Sequence, residues 1–131
     1  MPITFEWYDK ERGILLNTFS EYWTWQECID AIDRGIVLGK QAKHVDTIID
    51  MRASNILIPT GALRYLPILA DKVAEALPHW GISVIISDSK LIKSLLTIAS
   101  RLSRTVRQHY AFATTLDDAL AIIEKRREKS S

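Results

Sequence analysis

Apolar and polar residues alternate from the start of the chain. Ile3-Thr4-Phe5-Glu6-Trp7 has a period of two, which predicts a half-buried strand. Asp9-Lys10-Glu11-Arg12-Gly13 is polar and closes on glycine, the chemistry of a hairpin loop. Ile14 to Phe19 is then the return strand, antiparallel to the first. The period changes after that. Trp25, Cys28, Ile29, Ile32 and Ile36 recur at helical spacing. Ahead of them Thr24-Trp25-Gln26-Glu27 is a capping box, in which hydroxyl and carboxylate satisfy two orphan N–H groups. Gly39 marks the stop.

Lys40 to His44 is a polar connection, and Val45 to Met51 is the central buried strand, with Asp50 near its carboxyl end. A helix is expected within residues 59–77. Leu63, Leu66, Ala70, Val73 and Leu77 would form its buried stripe, with a kink or a late start at Leu66-Pro67. Pro78-His79-Trp80-Gly81 ends it. Ile82 to Ser87 is a β-branched run and reads as a buried strand. Asp88 or Ser89 caps the next helix. At about 100° per residue, Leu91, Ile92, Leu95, Leu96, Ala99, Leu102 and Val106 fall on one side of that helix. Lys90, Lys93, Thr97, Arg101 and Arg104 fall on the other. Tyr110 to Thr114 is the last strand. Thr115-Leu116-Asp117-Asp118 opens a final helix, with acids in its first turn and cations at its end, as the dipole favours.

The predicted order is therefore β-β-α-β-α-β-α-β-α. Strands alternating with helices predict an α/β fold with a mixed, mostly parallel sheet flanked by helices and right-handed crossovers. The 131 residues are expected to form one domain, 1–131, with a frayed tail at 125–131. A charge of +1 from 17 basic and 16 acidic side chains argues against bulk attraction to nucleic acid or to a membrane surface. No apolar run approaches the roughly 20 residues of a membrane span, and no leader pattern opens the chain. The expected location is the cytoplasm. One cysteine, Cys28, allows neither an internal disulfide nor a cysteine metal site; on the helical stripe it reads as a small buried hydrophobe.

Candidate chemistry is sparse. No phosphate-binding loop, nucleophile elbow or metal-ligand spacing is present, so no catalytic residue, cofactor or metal is expected. Three features stand out. The first is Asp50 with Pro59-Thr60-Gly61, a strand-end carboxylate followed by a helix start, at the end of an α/β sheet where sites tend to lie. The structural alternative is that Asp50 caps its loop and Thr60 its helix. The second is the basic row of Lys90, Lys93, Arg101 and Arg104, either an anion contact or a solvated helix face. The third is the concentration of seven of the eleven aromatic residues in the first 25 positions. They line a pocket or fill a core that closes one edge of the sheet. Tyr22 and Trp23, in a short loop, are the pair expected to be exposed.

The element order and the Asp50 and Pro59-Thr60-Gly61 layout resemble a STAS domain, the fold of anti-sigma-factor antagonists and of sulfate-transporter C-terminal domains. That family carries an Asp near the end of its central strand and D-S-S-G at the next helix start. Here Asp50 takes the first position and Ile58-Pro59-Thr60-Gly61 the second. Ile58 replaces the family's Asp and Pro59 its phosphoacceptor Ser, leaving Thr60 as the one local hydroxyl for phosphorylation. Phe112-Ala113-Thr114-Thr115-Leu116-Asp117-Asp118-Ala119-Leu120 is also similar to the last strand and helix of bacterial STAS-like proteins. The resemblance implies a non-enzymatic regulatory or protein-interaction module, docking through Asp50, Pro59, Thr60 and Gly61. The alternative expectation is a carrier or sensor of a small apolar or anionic ligand, an analogy to the lipid-exchange (CRAL-TRIO) fold. A protein partner or a homodimer fits either.

Overall fold

The computed structural model describes residues 3–54, 61, 64–65, 68, 71–72, 80–102 and 104–130. β1 (Ile3–Asp9) and β2 (Ile14–Phe19) form the expected antiparallel hairpin, with Ile3 opposite Phe19, Trp7 opposite Leu15 and a bulge between Trp7 and Asp9. The turn works because Gly13 takes a φ of 68°, a region costly for any residue with a Cβ, and donates its N–H to Lys10 O at 3.2 Å. β3 (Val45–Asp50), β4 (Trp80–Ile86) and β5 (Tyr110–Ala113) then add in parallel, giving the sheet order β1-β2-β3-β4-β5. The sheet is thus mixed and mostly parallel.

In a parallel sheet whose strands follow one another in chain order, right-handed crossovers fall on one face. α1 (Trp25–Gly39) lies on that face. Its Trp25, Cys28 and Ala31 meet Ile3, Phe5, Leu15, Phe19 and Val45 of the strands. The capping box forms as expected: Thr24 Oγ1 accepts from Glu27 N–H at 3.2 Å, and Glu27 Oε1 accepts from Thr24 N–H at 3.0 Å. α2 (Lys90–Leu102) shares the face. Lys93 Nζ sits 5.8 Å from the ring of Phe112, which stands in register with Ile85 and through it with Ile49 of the α1 cluster. α3 (Arg104–His109) follows. α4 (Leu116–Ser130) covers the opposite face, where its Ala119 and Ile123 pack on Ile14, Ile48, Ile82, Val84 and Ile86. Period-two strands thus feed two separate cores, one on each side of the sheet.

Several expectations change. Residues 125–130 belong to α4 rather than to a frayed tail, because Arg127 is tied to the sheet. The expected helix after β4 is described as α2 and α3. Between β3 and β4, residues 64–65, 68 and 71–72 are helical. The kink at Pro67, the stripe of Leu63, Leu66, Ala70, Val73 and Leu77, and the Pro78-His79 stop lie outside the described residues, as do the side chains of the apolar stripe on α2 and α3.

Candidate functional site

The carboxyl end of β3 is built from a short grip. Asp50 Oδ1 accepts from the Arg52 N–H at 3.1 Å and from Arg52 Nε at 3.0 Å, and Oδ2 accepts from Nη2 at 2.8 Å. This is an Asx turn with a bidentate guanidinium fork laid over it. The hydrogen bonds from the Arg52 side chain hold the Asp50 carboxyl below the usual carboxylate range. Partial burial opposes the shift; the backbone N–H and the charge of Arg52 reinforce it.

The loop after the grip is fastened from beneath. Ser54 N–H donates to Met51 O at 3.1 Å, and Ser54 Oγ accepts from Trp23 Nε1 at 2.9 Å. Trp23 lies edge-on to Phe19 and to Trp25, with centroids 5.0 and 5.1 Å away, and Trp25 stacks on Tyr65 at 5.8 Å. Four rings therefore connect β2 to the helical residues beyond Gly61. Trp23 is 9% exposed and corrects the expectation of an exposed pair: its indole N–H has a partner inside, so burial leaves no orphan donor. Tyr22, at 72%, is exposed as expected. The N-terminal aromatics mostly fill the core, with Phe5, Phe19, Trp23 and Trp25 all buried.

Gly61 carries the helix start. With φ at 95°, its C=O accepts from Arg64 N–H at 2.9 Å and Tyr65 N–H at 3.1 Å. Pro59 and Thr60 lie outside the described residues, so of the four expected surface residues the structure places Asp50 and Gly61. The basic residues Lys90, Lys93, Arg101 and Arg104 are exposed. No ion pair among the described residues involves them.

The opposite end of the sheet holds a cluster that the sequence did not reveal. Asp46, 2% exposed, accepts from Arg127 Nε at 2.7 Å and from Ile82 N–H at 2.8 Å, and His44 Nε2 lies 3.4 Å from it. Arg127 Nη2 also donates to Gly13 O at 3.3 Å. Gly81 makes room: a Cβ there would fall on the Asp46 carboxylate and 2.6 Å from the His44 ring. The available signal was an Asp inside the apolar run Val45-Asp46-Thr47-Ile48, since a buried charge needs a partner. Nothing local pointed to Arg127.

On the outer edge, Phe5, Asp33, Arg34, Val37 and Leu38 line a shallow groove of about 410 Å³. Cys28 is buried and its thiol is pushed up to about 12, in keeping with its reading as a hydrophobe. Among the described residues, no group of three or more His, Cys, Asp or Glu side chains could hold a metal ion, and no helix is long and apolar enough to cross a membrane. No family model matches the chain, and neither a curated protein nor a solved structure matches it.

Proposed function

We propose that this α/β domain is a non-enzymatic regulatory or protein-interaction module of STAS type. It docks a protein partner through the surface at the carboxyl end of β3, around Asp50, Pro59, Thr60 and Gly61, and works in the cytoplasm. The observation that carries the reading is the Arg52 grip. A carboxylate held ionised by three hydrogen bonds is a poor proton acceptor. It is a well-fixed pair of charges for a partner to read. The exposed Tyr22, in the loop after β2, supplies the kind of amphipathic ring that interfaces favour.

Arg52→Glu and Tyr22→Ala test the reading. Crosslinking in the native host should give one reproducible partner with the wild type and lose it with both variants, each of which still unfolds in a single cooperative transition above the assay temperature. Undiminished capture by both variants would remove this surface from consideration. Thr60 phosphorylation belongs to the same reading and would appear as covalent mass on the purified chain. The groove along Phe5, Val37 and Leu38 favours the ligand-carrier alternative, which native mass spectrometry separates by mass lost on denaturation.

A further inference from the structure

One cross-strand row runs the full width of the sheet on the face that α1 covers. Trp7 stands in register with Leu15, Leu15 with Thr47, Thr47 with Ser83 and Ser83 with Tyr110. The next row on that face runs Phe5, Asn17, Ile49, Ile85 and Phe112. Side chains two apart on a strand share a face, so Asn17 and Thr47 point the same way as Leu15, Phe19, Val45 and Ile49 of the α1 core. Asn and Thr are uncommon at such fully buried positions.

Three buried polar atoms on this face have no hydrogen-bond partner among the described residues: Trp7 Nε1, Asn17 Oδ1 and Thr47 Oγ1. Asn17 is 4% exposed and Thr47 2%. Each such atom costs stability while it stays dry and unpaired. Asn17 and Thr47 are diagonal neighbours, one strand across and two residues along. Their Cα atoms are therefore roughly 8 Å apart, near enough for one small molecule to reach both side chains. Buried Ser83 lies beside Thr47. These two short side chains at mid-sheet fill less of the gap below the helix layer than Leu15 and Ile49 next to them. Tyr110 bounds the row at the far edge. Burial pushes its phenol up to about 12 and Cys28 of α1 reinforces the shift, so the ring reaches in towards α1. Neither row contains a charged side chain. A charged ligand would be left uncompensated there. Asn17 Oδ1 accepts, the Thr47 hydroxyl accepts or donates, and Trp7 Nε1 donates.

We propose that Asn17 and Thr47 hold a small neutral molecule on this face of the sheet, inside the domain. It has a hydroxyl or amide N–H to donate and an apolar body that lies along Leu15 and Ile49. A hydrogen bond to each orphan satisfies what the fold leaves open, and the body gains contact with the apolar neighbours. This site is distinct from the partner surface at Asp50, which lies at the strand ends, and does not rest on that reading. It also differs in place from the outer groove at Val37.

NMR titration of the isotope-labelled whole chain tests it, with n-hexanol, its isomer methyl pentyl ether and hexanoate as probes. The Ile49 methyl and Asn17 side-chain amide signals should shift saturably with the alcohol. The ether cannot donate and hexanoate is charged, so each should bind about fivefold or more weakly. Asn17→Leu and Thr47→Val match the native shapes without the orphan atoms. Each should weaken alcohol binding by about fivefold, yet raise the melting temperature of the free protein by about 2 °C or more. A residue that only packs would not show those opposite signs. Absence of a saturable shift up to the solubility limit of the alcohol would overturn the proposal. So would an ether that binds as tightly, or variants that bind like the wild type or melt lower. The wild-type probe series decides the case if a variant does not fold. Shifts confined to Val37 would place the probe in the outer groove and overturn it. A long-lived water detected beside Thr47, with no alcohol bound, would mean a buried water only and overturn it too. Partner capture through Arg52 and Tyr22 is read separately, so the two readings fail independently.

Discussion

Arg127 donates its Nε to the carboxylate of Asp46 at 2.7 Å across 81 residues of chain, and that carboxylate is 2% exposed. The pair joins α4 to the starts of β3 and β4, since Asp46 also accepts from Ile82 N–H. Arg127→Ala would leave a buried carboxylate short of its main countercharge. The expected cost is about 3 kcal/mol, the lower end for breaking a buried pair, because the Arg127 side chain is 27% exposed and His44 stays close. Urea unfolding measures it. Asp46→Asn in the Arg127→Ala background should recover part of the loss.

Ser54→Ala removes the acceptor of the Trp23 indole N–H and leaves that donor buried. A loss of about 1–3 kcal/mol is expected. Thermal unfolding followed by tryptophan fluorescence would show both the lost stability and the altered indole environment.

Thr24→Ala should cost about 1 kcal/mol, because it removes the hydroxyl that accepts from Glu27 N–H at the start of α1, while the Glu27 carboxylate keeps its bond to the backbone N–H of residue 24. Thr24→Ser should retain nearly all of it. Denaturant midpoints of the three proteins give the comparison.

Asp50 makes a pH prediction with a defined sign. Its carboxyl is depressed in the folded chain, so its contribution is present above the ordinary value of about 3.9 and is lost as pH falls through the lower folded value. Arg52→Ala should return the carboxyl towards the ordinary range and flatten that acid limb. Carboxyl-carbon titration by NMR reads the shift directly.

Cys28 should be slow towards thiol reagents at pH 8. Burial pushes its thiol up to about 12, and the thiolate is the reactive form. Labelling should accelerate only when denaturant opens the α1 core. Fast labelling of the native protein would show that α1 lifts from the sheet on its own.

Local chemistry made the elements legible. The alternation in Ile3 to Trp7, the glycine turn at Gly13 and the Thr24–Glu27 box all act over a few residues, and each appears where the pattern placed it. The cap reading of Asp50 was legible for the same reason, since its partner is two residues away. Burial of Trp23 was not, because the Ser54 hydroxyl that satisfies it is distant in sequence and an aromatic residue in a loop has no period to betray its direction. The order of α4 past Lys125 was hidden likewise. A basic end looks frayed until Arg127 is seen to fill the hole beside Asp46.

The Arg127 contact also imposes an order on assembly. β2, β3 and β4 can pair as soon as they have left the ribosome, but the carboxylate between them gains its guanidinium only after about 40 further residues have emerged, since β4 ends at Ile86. Until then the α4 face of the sheet is uncovered and the Asp46 carboxylate lacks its guanidinium. A chain cut between Ala113 and Arg127, by a protease or by premature release, would keep all five strands and still lack the Arg127 contact. A tag that perturbs the end of α4 would therefore damage the opposite end of the sequence as well.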